Sequence, residues 1–443
     1  MTPDVSLPEV PVPGPTLPAG PRGALWQTVR YVRNPQAFYL DCVARYGDVF
    51  TAPSVLGPIV VLSHPDDLRA LFSLSPHAFG RWSVEAVQPL LGRSSMILTD
   101  GAHHLAQRRM TAPAFHREAI GGIAARIDSI AADHLQRWPE QRAFDIKDRL
   151  LDLSIDVILQ VAFGSVELER LAALGAAIRR TLESMSATMM LARVVAPRVE
   201  SFGPYARFLA ARAQLDRLVF AEIDAPAAAD SMLGMLHGSR DAAGKGFTRE
   251  ELRDQLVSVI FAGHETSAIG LAWAMYWLHR HPASLEFLRA ELVGAADISR
   301  LPYLDAVCRE ALRLHPTVPE VVRKLKAPLV LRNVTLPAGT AVAACIAATH
   351  HRESLYPEPG AFRPERFLER RFGPDEFLPF GGGVHRCAGE ALAMLEMKTI
   401  LARVVTYARF ELLNSQAIRP RLCSITMEPR GKIMLAMTKG SAQ

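Results

Sequence analysis

The chain has 443 residues, of which 49% are hydrophobic and 21% charged, and its formal net charge is +5. A chain of this length and hydrophobicity can bury a large core. Its Lys and Arg residues are scattered, without the dense block or aromatic-interleaved stripe of a nucleic-acid-binding protein, so no nucleic-acid partner is expected. A modest basic patch for an acidic protein partner remains compatible with this charge.

Residues 1–21 differ from the rest because they contain seven prolines. They lack the basic and apolar regions of a signal peptide and are typical of an extended polyproline segment. No apolar run reaches the eighteen or so residues that cross a membrane. We therefore expect a soluble, cytoplasmic protein without a transmembrane anchor, made of a Pro-rich lead at 1–21 and a single domain at 22–443.

The five cysteines lie far apart and form no C-x-x-C pair. This spacing indicates a reducing compartment rather than a disulfide framework or a zinc ribbon. Cys42, Cys308, Cys345 and Cys423 lie in apolar helical or strand patterns, so they are expected in the core.

Helices dominate the predicted elements, and the strands form a minor β-rich region. Helices are predicted near residues 35–46, 65–74, 101–110, 118–138, 146–163, 167–220, 248–281, 283–294 and 303–314, with a last one after 388. Strands are predicted near 49–51 and 59–62, between 317 and 348, and in a terminal hairpin near 422–437. Residues 76–100 are predicted to form a long loop, a length that is usually functional. Breaks at Pro197 and at Gly203-Pro204 suggest a mobile lid within 167–220.

The longest helix begins at Thr248, which forms a capping-box pattern with Glu251. It spans about 33 residues, or roughly 50 Å, and must cross the middle of a large domain. A glycine inside a helix, such as Gly263, lowers helix stability by about 0.8–1 kcal/mol relative to alanine. A buried Glu265 without a partner would lower protein stability by more. Such violations inside a helix indicate function. The alternative is a glycine for close helix packing beside a solvated glutamate.

The sequence FGGGVHRCAG, from Phe380 to Gly389, precedes the last helix. Glycines allow positive φ angles and the close approach of the backbone to a flat ligand. Cys387 lies just before the helix N-terminus, where the dipole favours a thiolate. A metal cation would deprotonate the thiol outright. The alternative is a buried cysteine in a Gly-rich turn.

The residues around Cys387 decide between these alternatives. Phe380, Gly383, His385, Cys387 and Gly389 fit the pattern F-x-x-G-x-R/H-x-C-x-G, which resembles the haem-thiolate loop of the cytochrome P450 family. The resemblance covers nearly the whole chain and implies the cytochrome P450 fold, mainly α, with a long central helix over a haem. It also makes haem b the expected cofactor and Cys387 the ligand of its iron.

Other motifs in family order imply further roles. His104 and Arg108, at i and i+4, resemble the clamp that holds the haem propionates. In the A-G-x-E-T segment of the long helix, the resemblance implies that Thr266 hydrogen-bonds the bound oxygen and that Glu265 relays protons to it. The cofactor-binding residues implied in this way are His104, Arg108, Arg323, Phe380, His385, Cys387 and Gly389.

A structural role is implied for an E-x-x-R motif, Glu310 and Arg313, together with Arg366 from the segment FRPERF. In the family these residues form a network that fixes the coil leading to the cysteine. Without the resemblance, Glu310 and Arg313 would be a surface pair worth under about 0.5 kcal/mol.

The implied reaction inserts one oxygen atom of O2 into a C–H bond of a lipophilic molecule such as a fatty acid, terpenoid or steroid. No flavin or iron–sulfur segment is present, so NAD(P)H-derived electrons are expected from a ferredoxin- or flavodoxin-type partner, and the protein is expected to be a monomer. The pocket residues implied by the resemblance are Val257, Ile260, Phe261, Val318, Val321 and Ile425. An H2O2-driven peroxygenase and a non-catalytic haem sensor or carrier are the alternatives, and the Glu265–Thr266 pair argues against both.

Overall fold

The computed structural model describes residues 17–82, 84, 87–115, 122–164, 166–185 and 203–439. Its helices are α1 Ala24–Arg33, α2 Pro35–Tyr46, α3 Pro65–Phe72, α4 Gln88–Leu91, α5 Gly101–Thr111, α6 Ile123–Arg137, α7 Ile146–Phe163, α8 Leu168–Ser184, α9 Gly203–Asp224, α10 Met232–Gly238, α11 Arg249–Arg280, α12 Pro282–Leu292, α13 Pro302–Leu314, α14 Ile346–Thr349, α15 Arg366–Glu369 and α16 Glu390–Tyr407. Its strands are β1 Val49–Ser54, β2 Gly57–Leu62, β3 Phe79–Gly80, β4 Ala143–Asp145, β5 Glu320–Leu325, β6 Leu329–Val330, β7 Thr335–Leu336, β8 Ala341–Cys345, β9 Ala408–Leu412, β10 Pro420–Cys423, β11 Thr426–Pro429 and β12 Met434–Lys439.

The central element is α11, which packs against α7, α9, α13 and α16. The Thr248 hydroxyl accepts from the Glu251 main-chain N–H, and the Glu251 carboxylate accepts from that of Thr248, so the predicted capping box is formed. By length and composition α11 could cross a membrane, but 67% of its apolar window is buried inside the protein. Core helices of soluble proteins pass the same test, so this is weak evidence for a membrane span.

The strands form a five-stranded sheet in the order β1-β2-β8-β5-β3, a three-stranded sheet in the order β4-β12-β9, and two hairpins, β6-β7 and β10-β11. In the larger sheet β2 and β8 are parallel and the other pairs are antiparallel. The predicted mainly α fold with a minor β-rich region is confirmed.

Several details differ from the sequence predictions, and strands β4 and β9 were not predicted. Helix α1 was not predicted, although Leu25, Val29 and Val32 have helical spacing. The region 76–100 contains β3 and α4 as well as loop. Strand β12 pairs with β4 and β9 instead of closing the terminal hairpin. Cys423 is exposed at the end of β10, whereas Cys42, Cys308 and Cys345 are buried as expected.

Three predictions lie wholly or mostly outside the described residues. These are the extended Pro-rich lead, of which residues 1–16 are not described, the start of a helix at Glu118, and the break at Pro197, which leaves the proposed lid untested.

Candidate functional site

Cys387 lies three residues before α16, at the end of the glycine-rich loop. Its main-chain N–H donates to the Phe380 carbonyl over 2.9 Å, which closes the loop. Its side chain is exposed, yet burial raises the pKa of its thiol, while the Gly389 N–H and the nearby Arg108 and Arg386 lower it. The exposed sulfur is therefore open to a ligand, while the protein around it disfavours its charged form.

Glycines allow this loop to pack against α3. A Cβ at Gly382 would lie 2.5 Å from the Phe72 ring, and a Cβ at Gly383 would lie 2.6 Å from the Phe72 carbonyl oxygen. Gly383 also has a φ of +66°, which side chains rarely adopt. The loop conformation thus depends on glycine at both positions.

A cluster of cationic and imidazole side chains surrounds the loop. The His104 and His385 rings lie 3.8 Å apart. An Arg81 guanidinium nitrogen lies 2.5 Å from His385 Nδ1. Arg108 donates to the Arg386 carbonyl over 2.6 Å, and Arg323 donates to the Gly382 carbonyl over 2.8 Å.

This cluster lacks anions to balance it. Among the described residues, Arg81, Arg108 and Arg323 form no ion pair. Burial lowers the pKa of Arg81 and of Arg323 to about 10, and burial and then Arg81 lower the pKa of His385. Arg323 Nε and His385 Nε2 are buried and have no hydrogen-bond partner. Buried charges are normally paired, so these side chains suit a ligand that brings carboxylates, as the two propionates of haem do.

The middle of α11 carries the predicted oxygen-handling residues. The Thr266 hydroxyl donates to the Ala262 carbonyl over 2.6 Å. A Cβ at Gly263 would lie 2.7 Å from Ile158 Cδ1 on α7, so this glycine permits close helix packing. Close helix packing, the alternative explanation for Gly263, is therefore correct for that residue. The other half of that alternative, a simply solvated Glu265, does not hold.

Glu265 lies against the β10–β11 hairpin. Its carboxylate, the Cys423 thiol and the Glu428 carboxylate each have a ligand atom within 4.8 Å of the others. Lys147 and Arg421 both pair with Glu428 at 2.6 Å and already occupy its two oxygens, so we assign no metal here. Burial, and then the Glu428 charge, raise the pKa of Glu265.

The predicted structural network is assembled and buried. Arg313 donates twice to Glu310, over 2.7 and 2.8 Å, and Arg366 donates once over 3.1 Å. Arg313 also donates to the His350 carbonyl over 2.8 Å. The His350 ring accepts from the Leu378 N–H over 3.0 Å, two residues before the cysteine loop begins. The network thus connects α13 to the coil that enters the loop.

The six predicted pocket residues differ in environment. Val257 and Ile260 are buried in the main core, Phe261, Val318 and Val321 are half-buried, and Ile425 is 47% exposed. A Cβ at Gly381 would lie 3.8 Å from Val321 Cγ1, which places Val321 beside the cysteine loop. Whether the six contact substrate stays a prediction.

Sequence reasoning missed Arg81 and Glu396. Nothing in the sequence distinguishes Arg81 from other arginines of the region 76–100. Glu396 lies fully buried on α16 and accepts from Ser154 over 2.9 Å, and burial raises its pKa to about 7. A single carboxylate in the apolar run LAMLEMKTIL could have been noticed.

A cysteine just ahead of a helix, beside cationic side chains that form no ion pair among the described residues, in a fold built around a long central helix, is typical of the haem-thiolate class of proteins. The cytochrome P450 family model matches residues 13–436. Cytochrome P450 135B1 of Mycobacterium tuberculosis is 36% identical over 431 residues, which cover 93% of this chain and 89% of that protein. Cytochrome P450 137 of the same organism is 30% identical over 430 residues, which cover 94% of this chain and 89% of that protein.

Solved structures agree on the fold. The retinoic acid-bound cyanobacterial CYP120A1 superposes with a TM-score of 0.82 at 24% identity, over 96% of this chain and all of that one. The cytochrome P450DA haem domain superposes with a TM-score of 0.84 at 20% identity, over 96% of this chain and 98% of that one. The chain belongs to the cytochrome P450 family. It is a haem-thiolate monooxygenase, whose family uses haem b, O2 and reducing equivalents from a redox partner.

Proposed function

We propose that this chain hydroxylates a lipophilic small molecule at haem held by Cys387. The observation that carries this proposal is the exposed Cys387 thiol at the end of a loop surrounded by Arg81, Arg108 and Arg323, which form no ion pair within the described part of the chain. Cys387 would ligate the iron, and His104, Arg108, Arg323 and His385 would hold the propionates, with Phe380 and Gly389 shaping the loop. Arg81 joins this set because its guanidinium contacts His385.

When bound, the haem supplies O2 activation, with a thiolate ligand that favours O–O cleavage. Protein side chains then position and deliver protons. We assign this role to the Thr266 hydroxyl, in the middle of α11, and to Glu265 beside it, whose raised pKa lets it hold a proton. Positioned proton donors are worth about 10²–10⁴ in rate.

Glu428 and Lys147 support the role of Glu265. The Glu428 charge disfavours ionisation of Glu265, whereas Lys147 favours it. Arg421, which pairs with Glu428, is 48% exposed, so this polar cluster extends from α11 to solvent.

The electron donor is proposed to be a ferredoxin- or flavodoxin-type protein, and the enzyme a cytoplasmic monomer with one haem domain at 22–443. The cysteines within the described residues are all free, and α11 contacts elements from both halves of the chain. Turnover with NAD(P)H and a reductase system, but not with H2O2 alone, is the expected result. Efficient turnover with H2O2 alone would indicate a peroxygenase, and no turnover with either would indicate a sensor or carrier.

The substrate is proposed to be a fatty acid, terpenoid or steroid. The predicted pocket residues are all apolar, and the A-G-H-E-T segment resembles that of fatty-acid hydroxylating members. A screen that follows the haem Soret band tests this directly: lipophilic ligands should shift it, and a shift only with polar ligands would contradict the proposal. One methylene changes the binding free energy by about 1–3 kcal/mol in such a pocket. Ligands that differ only in chain length should therefore differ measurably in affinity in the same screen.

A further inference from the structure

A cavity of about 300 Å³ is bounded by the end of α6, by α7 and by the second half of α8. None of its side chains belongs to the cluster around Cys387 or to the polar residues beside Glu265. Its volume lies at the lower end of the range for small-molecule sites, so the cavity suits a small ligand. Its charged lining consists of Arg137 from α6, Arg149, Asp152 and Asp156 from α7, and Arg179 from α8.

Helical spacing brings the α7 side chains to this cavity. Arg149, Asp152 and Asp156 stand at i, i+3 and i+7, which places them on one face of the helix. Their side chains are between 40% and 46% exposed, and that of Arg179 on α8 is 43% exposed. Helix α7 packs against both α6 and α8. The charged groups are therefore reachable from solvent and held on packed helices, as a binding site requires.

Asp152 holds two of the three arginines only loosely. Its Oδ1 lies 3.5 Å from Arg179 Nη1, and its Oδ2 lies 4.0 Å from Arg149 Nη1. Both distances exceed the roughly 2.7–3.2 Å of ordinary hydrogen bonds between an N–H group and an oxygen. Arg149 Nε is buried and has no hydrogen-bond partner among the described residues. Both guanidinium groups therefore retain N–H donors for a ligand.

The remaining polar groups of the cavity also leave donors in excess. The Asp156 carboxylate is engaged by His134, whose Nε2 lies 2.7 Å away. Arg137 donates to a main-chain carbonyl one turn earlier in α6 and forms no ion pair within the described part of the chain. Trp138, which also lines the cavity, has a buried indole N–H without a partner there. Three arginines thus face two carboxylates, and buried donors of this kind need an acceptor.

We propose that this cavity binds a small phosphorylated molecule through its phosphoryl oxygens. The three guanidinium groups reach the cavity from three different helices. A phosphoryl group presents its oxygens in a tetrahedral arrangement and can accept hydrogen bonds from several directions, whereas the two oxygens of a carboxylate lie in one plane and match a single guanidinium. Planar guanidinium groups also fit phosphate geometry. The inference stands apart from the proposed function, because no residue of this cavity takes part in it.

Isothermal titration calorimetry of the haem-loaded enzyme in phosphate-free buffer tests the inference. Inorganic phosphate and glycerol 3-phosphate are the probes, with glycerol and succinate for comparison. Both phosphates should bind, and glycerol should not. A ligand that joins α6, α7 and α8 in the folded protein should also raise its melting temperature. Succinate binding as tight as that of glycerol 3-phosphate would overturn the phosphoryl assignment, and absence of binding by both phosphates would overturn the site.

Variants of the lining show whether the phosphates bind in this cavity. Arg149→Gln and Arg179→Gln should each weaken the binding of glycerol 3-phosphate at least about tenfold, because each removes a charged hydrogen-bond donor. Asp152→Asn should instead strengthen the binding, because it removes a carboxylate that competes with the ligand for both arginines.

Arg180 provides the matched control, because it is the exposed neighbour of Arg179 on α8 and lies outside the cavity lining. Arg180→Gln should bind glycerol 3-phosphate as the unaltered enzyme does. An unchanged haem spectrum shows that each variant is folded. Binding that Arg149→Gln and Arg179→Gln leave intact, or that Arg180→Gln weakens equally, would overturn the inference.

Discussion

Replacing Glu310 by Ala should destabilise the protein severely. Glu310 is fully buried and accepts from Arg313 twice, from Arg366, and from the Arg363 main-chain N–H over 2.9 Å. The substitution leaves two buried arginines without their carboxylate. Breaking a buried ionic network in this way costs about 3–5 kcal/mol, from a total stability of about 5–15 kcal/mol.

At about 1.4 kcal/mol per factor of ten, this loss raises the unfolded fraction roughly 10²–10⁴-fold. Chemical denaturation and the haem content of purified protein measure it, and little or no haem-loaded Glu310→Ala protein is expected. Glu286 provides the control because it pairs with Arg289 and Arg409 at the surface, where loss of an ion pair costs about 0–1 kcal/mol. If Glu310→Ala keeps normal haem content and a melting temperature like that of Glu286→Ala, the structural role is wrong.

Three further predictions concern turnover. Thr266→Ala should consume NAD(P)H at a comparable rate but give several-fold less product, with H2O2 making up the difference; full coupling in this variant would contradict the role given to α11. Glu428→Gln removes a negative charge that raises the pKa of Glu265, so the pKa of Glu265 should fall. The alkaline limb of the pH–rate profile should then move to lower pH. An unmoved limb would show that the hairpin does not influence Glu265. The redox partner is expected to dock on the cysteine side of the haem, where Arg109 follows Arg108 on α5. Arg109→Glu should therefore slow reduction by the partner, and reduction of the unaltered enzyme should slow as salt rises and the screening length falls to about 8 Å at 0.15 M. Rates insensitive to both changes would exclude the cysteine side as the docking site.

Patterns that are local in sequence could be predicted. The capping box at Thr248 and the i, i+3 spacing of Glu310 and Arg313 follow from the helix period, and the structure forms both. Burial of the Glu310–Arg313 pair was implied only by the family resemblance, because the spacing by itself predicts a surface pair.

Features that depend on pairing between distant segments could not be predicted. Arg81 contacts His385 across 304 positions of sequence, and Glu265 meets Glu428 only because β10 and β11 form a hairpin against α11. Cys423 lies in an apolar pattern, yet the hairpin exposes it.

The spectrum of the reduced, CO-bound protein tests the central claim, that Cys387 ligates the haem iron, most directly. The unaltered enzyme should show the strongly red-shifted Soret band of a thiolate complex. Cys387→His should abolish that band, whereas Cys423→Ala, which alters the other exposed cysteine, should retain it. A red-shifted band that survives Cys387→His would contradict the assignment.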